Sequence, residues 1–115
     1  MIAIRGATTV ERDEINDIKE ASLELFENIL RLNSIDKDDI ISLTISCTND
    51  IKSCYPGKYI REEYNLLKAG IMHFNEMEVN GSLKMAIRFL VLADCDKKDN
   101  IEFVYLKGAK DLRKR

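Results

Sequence analysis

The chain has 115 residues, 45% of them hydrophobic and 33% charged, with a net charge of −2. That size and balance describe one globular domain over residues 1–115. They exclude a disordered chain and a binder that relies on general attraction to nucleic-acid phosphates. No apolar run approaches the roughly 20 residues of a membrane helix, and no apolar segment follows a basic start, so the sequence reads as a cytoplasmic protein that makes no use of a membrane. Cys47, Cys54 and Cys95 have neither C-x-x-C spacing nor a histidine cluster beside them. This suits a reducing compartment and offers neither a zinc site nor a disulfide framework.

Met1-Ile2-Ala3-Ile4 is a short apolar strand that Arg5-Gly6 is expected to end, leaving Arg5 at a strand terminus. An arginine there either faces water or helps to build a site. Asp13 and Glu14 suit the first turn of a helix, where acidic side chains complement its dipole. From about Asp13 to Leu32 the positions Ile15, Ile18, Leu25, Ile29 and Leu32 recur every three or four residues, with Ser22 in the gap. The spacing predicts a scaffold helix lying on a sheet. After a polar turn, Ile41 to Thr48 alternates apolar residues with serine and threonine, giving a strand with one oily face and one hydroxyl face.

Tyr55-Pro56-Gly57-Lys58 opens a second helix that continues through Tyr64, since proline in the first turn forfeits no needed N–H. Lys58 and Arg61, three apart, share one side of it, where two cations either hold an anion or are simply solvated. Ala69-Gly70-Ile71-Met72 is another apolar stretch, followed by His73, the only histidine. Glu76 and Glu78 share a face if their segment is extended, and Asn80-Gly81 marks a turn. Then comes the nearly continuous apolar run Met85 to Ala93, the pattern of a strand covered on both faces, with Arg88 in its middle. A guanidinium cannot be neutralised, so Arg88 either meets an anion or reaches into water at the sheet edge. Phe103 to Leu106 is the last strand, ended by Lys107-Gly108, and Leu112 is the apolar anchor of a tail closing in the basic Arg113-Lys114-Arg115. Strands alternating with helices and then running consecutively predict an α+β fold, a mixed β-sheet with helices on one face. The other face is then left to self-association.

The run Ile4-Arg5-Gly6-Ala7-Thr8-Thr9-Val10-Glu11 resembles the amino terminus of the AroH-type chorismate mutases, the small monofunctional class. Tyr55-Pro56-Gly57-Lys58 with Arg61, Asn75-Glu76-Met77 followed by Arg88, and Val104-Tyr105-Leu106 match at compatible spacing, so the resemblance spans essentially the whole chain. It implies a homotrimer packed around a central barrel-like core, with three active sites in clefts between subunits. It also implies the Claisen rearrangement of chorismate to prephenate, at the branch toward phenylalanine and tyrosine. Arg5, Arg61, Glu76, Arg88 and Tyr105 match the family's substrate-contacting positions, and Tyr55, Gly57, Lys58 and Leu112 match positions lining the same pocket. His73 stands where the family often has a smaller residue near the substrate hydroxyl. It is expected to hydrogen-bond there and to bring a pH dependence near neutrality.

Chorismate carries two carboxylates, a ring hydroxyl and an enol ether oxygen. Its rearrangement is pericyclic and requires no nucleophile, metal or cofactor, and the sequence offers no clear candidate for any of them. Catalysis then rests on holding the side chain folded over the ring and on fixed positive charge at the ether oxygen. Arg88 suits the ether oxygen, Arg5 and Arg61 with Tyr105 suit the carboxylates, Lys58 adds to the field, and Glu76 accepts from the ring hydroxyl. Arg88, Glu76 and Arg5 are thus the expected catalytic residues. The competing readings are a non-catalytic trimer that binds small carboxylates and a member of the trimeric enamine/imine deaminase group, whose motifs are not matched.

Overall fold

A computed structural model describes residues 1–96 and 100–112. The basic end Arg113-Lys114-Arg115 lies outside the described residues. Five strands, β1 (Ile2–Thr9), β2 (Ile40–Cys47), β3 (Gly70–Asn75), β4 (Ala86–Ala93) and β5 (Val104–Tyr105), form one sheet in the order β3-β2-β4-β1-β5. β4 runs antiparallel to both its neighbours, β1 and β2, whereas β3 and β5 join β2 and β1 in parallel at the two edges. Helix α1 (Ile15–Asn33) connects β1 to β2, which lie on either side of β4, and α2 (Pro56–Tyr64) connects β2 to β3, which pair in parallel. The fold is the expected mixed sheet with helices.

Alternation along the strands assigns the two faces. Ile4, Leu43, Ile45 and Val91 are fully buried and pack with Ile18, Leu25, Phe26 and Ile29 of α1 and Ile60 of α2. Burying each such side chain contributes about 1.5–3 kcal/mol, enough to hold α1 without a side-chain cap at Glu14. Its other end closes on Ser34 in the left-handed region, with the Ser34 and Ile35 N–H groups returning to Arg31 and Leu30. Register places Arg5, Leu90, Thr44 and Met72 in one row on the opposite face, with Ala7, Arg88, Ser46 and Phe74 in the next. That face is uncovered along the β3 side: Met72 is 61% exposed, Phe74 51% and Leu90 41%.

Four expectations change. β1 does not stop at Arg5-Gly6 but pairs with β4 through Thr9. Gly6 serves close packing instead of a turn, because a Cβ there would lie 2.8 Å from Ile29 Cδ1 and 3.2 Å from Leu25 Cδ1. Ile41 leaves the oily row because the register slips between Ile40 and Ser42, and it is exposed. Ile15 and Leu32 are exposed at the helix ends, and the buried stripe of α1 instead includes Ala21, Ser22, Phe26 and Asn33. The last strand shortens to Val104–Tyr105.

Asn33 ties that helix to the chain leading into β5. Its amide donates to the carbonyls of Ile29 (3.0 Å) and Glu102 (2.9 Å), and its carbonyl accepts the Glu102 N–H at 2.7 Å. Asn33→Ala should cost about 1–3 kcal/mol, the scale of stranding buried hydrogen-bonding groups. Urea unfolding measures this, and an unchanged midpoint would remove Asn33 from the account.

Candidate active site

β4 is the middle strand, so Arg88 has strands on both sides and cannot escape at a sheet edge. Its backbone is placed by a latch at the strand's start. The Asp50 carboxylate accepts the Met85 N–H at 3.0 and 3.2 Å, and Thr48 Oγ1 accepts the Ala86 N–H at 2.9 Å. Met85 itself takes the left-handed backbone (φ 52°), which sets the angle at which the chain enters β4. From there two steps of alternation bring Arg88 to the uncovered face, opposite Ala7 and Ser46.

Arg5 lies diagonally across from it, two residues along β1 on the same face. β5 sets Tyr105 beside Ala7, where the Leu106 N–H donates to the Ala7 carbonyl at 2.9 Å. Leu112 closes the group from the tail. Arg5, Ser46, Arg88, Tyr105 and Leu112 line a cavity of about 260 Å³.

Glu76 arrives from the other edge. It follows β3 directly, and its N–H donates to the Cys47 carbonyl at 2.8 Å, continuing the ladder by one residue. Ser46 Oγ donates to Glu76 Oε1, while Glu76 Oε2 stands 3.2 Å from Arg88 Nε. This contact is an ion pair without a hydrogen bond, because the Nε–H is not aimed at the carboxylate. Arg88 Nε and the Tyr105 hydroxyl are both buried and make no hydrogen bond within the described residues. Arg5, Arg88 and the Tyr105 hydroxyl therefore meet at one cavity, and the Glu76 carboxylate, which lines a neighbouring one, reaches it through its pairing with Arg88. The chemistry of the Arg88 cavity is the recognition of an anion.

Tyr55, Gly57, Lys58 and His73 form a separate group. Tyr55, Lys58 and His73 line a cavity of about 590 Å³ between the start of α2 and the end of β3, with Gly57 bonded to the His73 ring. His73 pairs with Ile45, on the helix-covered side, so it points away from the face that carries Arg88. Arg61, one turn along α2, is exposed and lines neither cavity. The sequence reading missed Ser46 as the residue holding Glu76. The alternating hydroxyls of β2 were visible, but their partner on another strand was not.

Comparison with known proteins is consistent over the full length. Residues 1–115 match the family model described as chorismate mutase type I. The chain belongs to the type I chorismate mutase family. It is 35% identical over 111 residues to chorismate mutase AroH of Bacillus subtilis, covering 96% of this chain and 87% of that protein. The corresponding figures for chorismate mutase AroH of Thermus thermophilus are 33% over 112 residues, 96% and 91%. A solved chorismate mutase from Clostridium thermocellum superposes with a TM-score of 0.90 at 34% identity, covering 96% of this chain and 98% of that one.

In this member of the chorismate mutases two thiols, those of Cys47 and Cys54, are quiet. Burial pushes Cys47 up to about 12, and Cys54 is also raised by burial, so neither is primed as a nucleophile. Among the described residues no three His, Cys, Asp or Glu side chains group as metal ligands, and no helix is long and apolar enough to cross a membrane. Burial holds the His73 imidazole below its ordinary range. The folded state therefore binds that proton less readily than the unfolded chain does. Stability present above about pH 6.5 should be lost as pH falls through the folded ring's lowered pKa. Thermal unfolding of wild type and His73→Gln across pH 5–8 tests this. The difference between them should narrow in acid, and parallel curves would contradict it.

Proposed function

We propose that Arg88, Glu76 and Arg5 carry the rearrangement of chorismate to prephenate in a cleft that a second copy of the chain completes. The observation that carries this reading is the pair of idle buried donors, Arg88 Nε and the Tyr105 hydroxyl, at a cavity that Arg5 also lines. Buried polar groups in folded chains are mostly hydrogen-bonded, so these two donors at the cavity are open to a partner from a ligand, a water or a second copy. Chorismate's two carboxylates and ether oxygen are acceptors of the right kind.

Arg88 faces the ether oxygen, where breaking the C–O bond leaves negative charge. Its guanidinium is positioned by strands on both sides and by Glu76, so little reorganisation is needed as charge develops. Glu76 keeps a lone-pair side for the ring hydroxyl, orienting the ring while offsetting local positive charge. Arg5 and Tyr105 hold carboxylate, and Leu112 covers the site. Fixing the side chain over the ring lowers the entropic part of the barrier. This family membership does not favour the non-catalytic carboxylate binder.

Arg61, Lys58, Tyr55 and Gly57 join the site from a neighbouring chain. Two observations support that arrangement. The cavity at Arg88 and the one at Tyr55 and Lys58 share no lining residue within one chain. The exposed Met72, Phe74 and Leu90 form an apolar surface on the Arg88 side of the sheet, of the sort that packing between copies covers. A homotrimer whose sheets face a common axis brings the two groups together three times. Sedimentation of the purified protein measures its size.

Arg88→Ala should lower kcat for chorismate loss by at least 10²–10³-fold, about 3–4 kcal/mol, the scale of removing one preorganised donor. Citrulline at the same position, which keeps shape and loses charge, should lose a similar amount with the unfolding midpoint nearly unchanged. Retention of activity within tenfold by either variant would refute the assignment.

A further inference from the structure

Helix α2 begins without the usual help. Tyr55 occupies the N-cap and makes no side-chain cap, and Pro56 follows at the first helical position. The next N–H, that of Gly57, is one of the donors a helix start leaves without an internal partner. It is satisfied from outside the helix: His73 Nε2 on β3 accepts it at 3.0 Å. The ring lies flush against that residue. A Cβ at Gly57 would stand 2.9 Å from His73 Cε1, 3.0 Å from its Nε2 and 2.7 Å from Ile71 Cγ2. The same imidazole touches the Tyr55 ring, with centroids 5.1 Å apart. One side chain thus grips the residues on both sides of Pro56.

We propose that His73 is a positioning residue: by accepting the Gly57 N–H it holds the first turn of α2, with Tyr55 and Lys58, in the geometry the substrate cleft needs, and a proton on the ring releases that turn. This rests on the reading that Tyr55 and Lys58 line the cleft. Only the neutral ring can accept at Nε2, which places its proton on Nδ1. Protonated, it would aim a second donor at the Gly57 N–H, and the bond could not persist. The surroundings favour the neutral form. The titratable groups that share its cavity are Lys52 and Lys58, the thiols of Cys47 and Cys54, and the phenols of Tyr55 and Tyr59. Among the described residues no carboxylate lines that cavity to hold an imidazolium, and burial lowers the ring's proton affinity further. His73 so placed acts through the helix turn, and its effect falls on binding. A turn that is only part of the time in place lowers apparent affinity by the fraction in place.

The test uses the intact enzyme and has two arms. In ¹⁵N-labelled protein the Gly57 amide should shift with the same midpoint as the His73 ring carbons, below pH 6.5, whether or not substrate is present. In kinetics, His73→Leu removes the acceptor at similar bulk and should raise KM for chorismate by about five- to tenfold at pH 7, the scale of a lost helix cap, with kcat within about twofold. Its KM should not change between pH 5 and 7, whereas that of wild type should rise in acid. His73→Gln, which can still accept, should recover most of the lost affinity and remove the acid rise. A Gly57 amide that stays still while the ring titrates would overturn the proposal, as would a His73→Leu KM equal to wild type. Should His73→Leu not fold, the amide titration and the glutamine variant decide alone. Absence of chorismate turnover in wild type would sink the substrate reading and leave the amide titration to judge the cap.

Discussion

A guanidinium at the third position of an eight-residue central strand cannot shed its charge, and among the described residues one carboxylate meets it, at 3.2 Å, without its Nε–H pointing toward it. The rest of the chain can be understood as the means of keeping that charge in place and incompletely answered. Fully paired, Arg88 would be a structural ion pair with nothing left to offer a ligand. Unpaired, it would carry the cost of burying a charge. Glu76 sets the balance between these limits. It is held by Ser46 on one side and by the continuation of the β2–β3 ladder on the other, so it neutralises Arg88 without occupying all its donors.

The sheet order makes this possible. Antiparallel pairing of β4 with both β1 and β2 places Arg5 and Glu76 on opposite sides of Arg88. The parallel edge strands then add Tyr105 and the segment leading to Glu76 at the same end of the sheet. The two helices occupy one face only. Burial of Ile18, Leu25, Phe26 and Ile29 against β1, β2 and β4 fixes the scaffold from that side and leaves the charged side free for the site. The rigidity that preorganised electrostatics requires comes from the strands, not from a loop.

Much of this was legible in the residues, for identifiable reasons. A charge inside an apolar run is conspicuous, so Arg88 stood out. Hydroxyl alternation in β2 and the proline at the start of α2 are local signals, and both elements formed near their expected bounds. Gly6 was misread because glycine marks turns and close packing with the same letter, and only the position of Ile29 decides between them. Ser46 and the Asp50 latch were not legible, since each acts on a partner about 30 residues away or more. Nor does the sequence disclose that His73 faces the helices: strand parity relative to Arg88 depends on register across β2, which no single strand encodes. The division of the candidate residues into two groups likewise appears only in three dimensions.

The most direct test is a crystal structure with a bicyclic dicarboxylate that mimics the rearranging species. The account predicts a guanidinium nitrogen of Arg88 about 3 Å from the ether oxygen of the mimic, with Glu76 on its hydroxyl. A mimic bound elsewhere, or an Arg88 turned to bulk water while the cleft is filled, would contradict it.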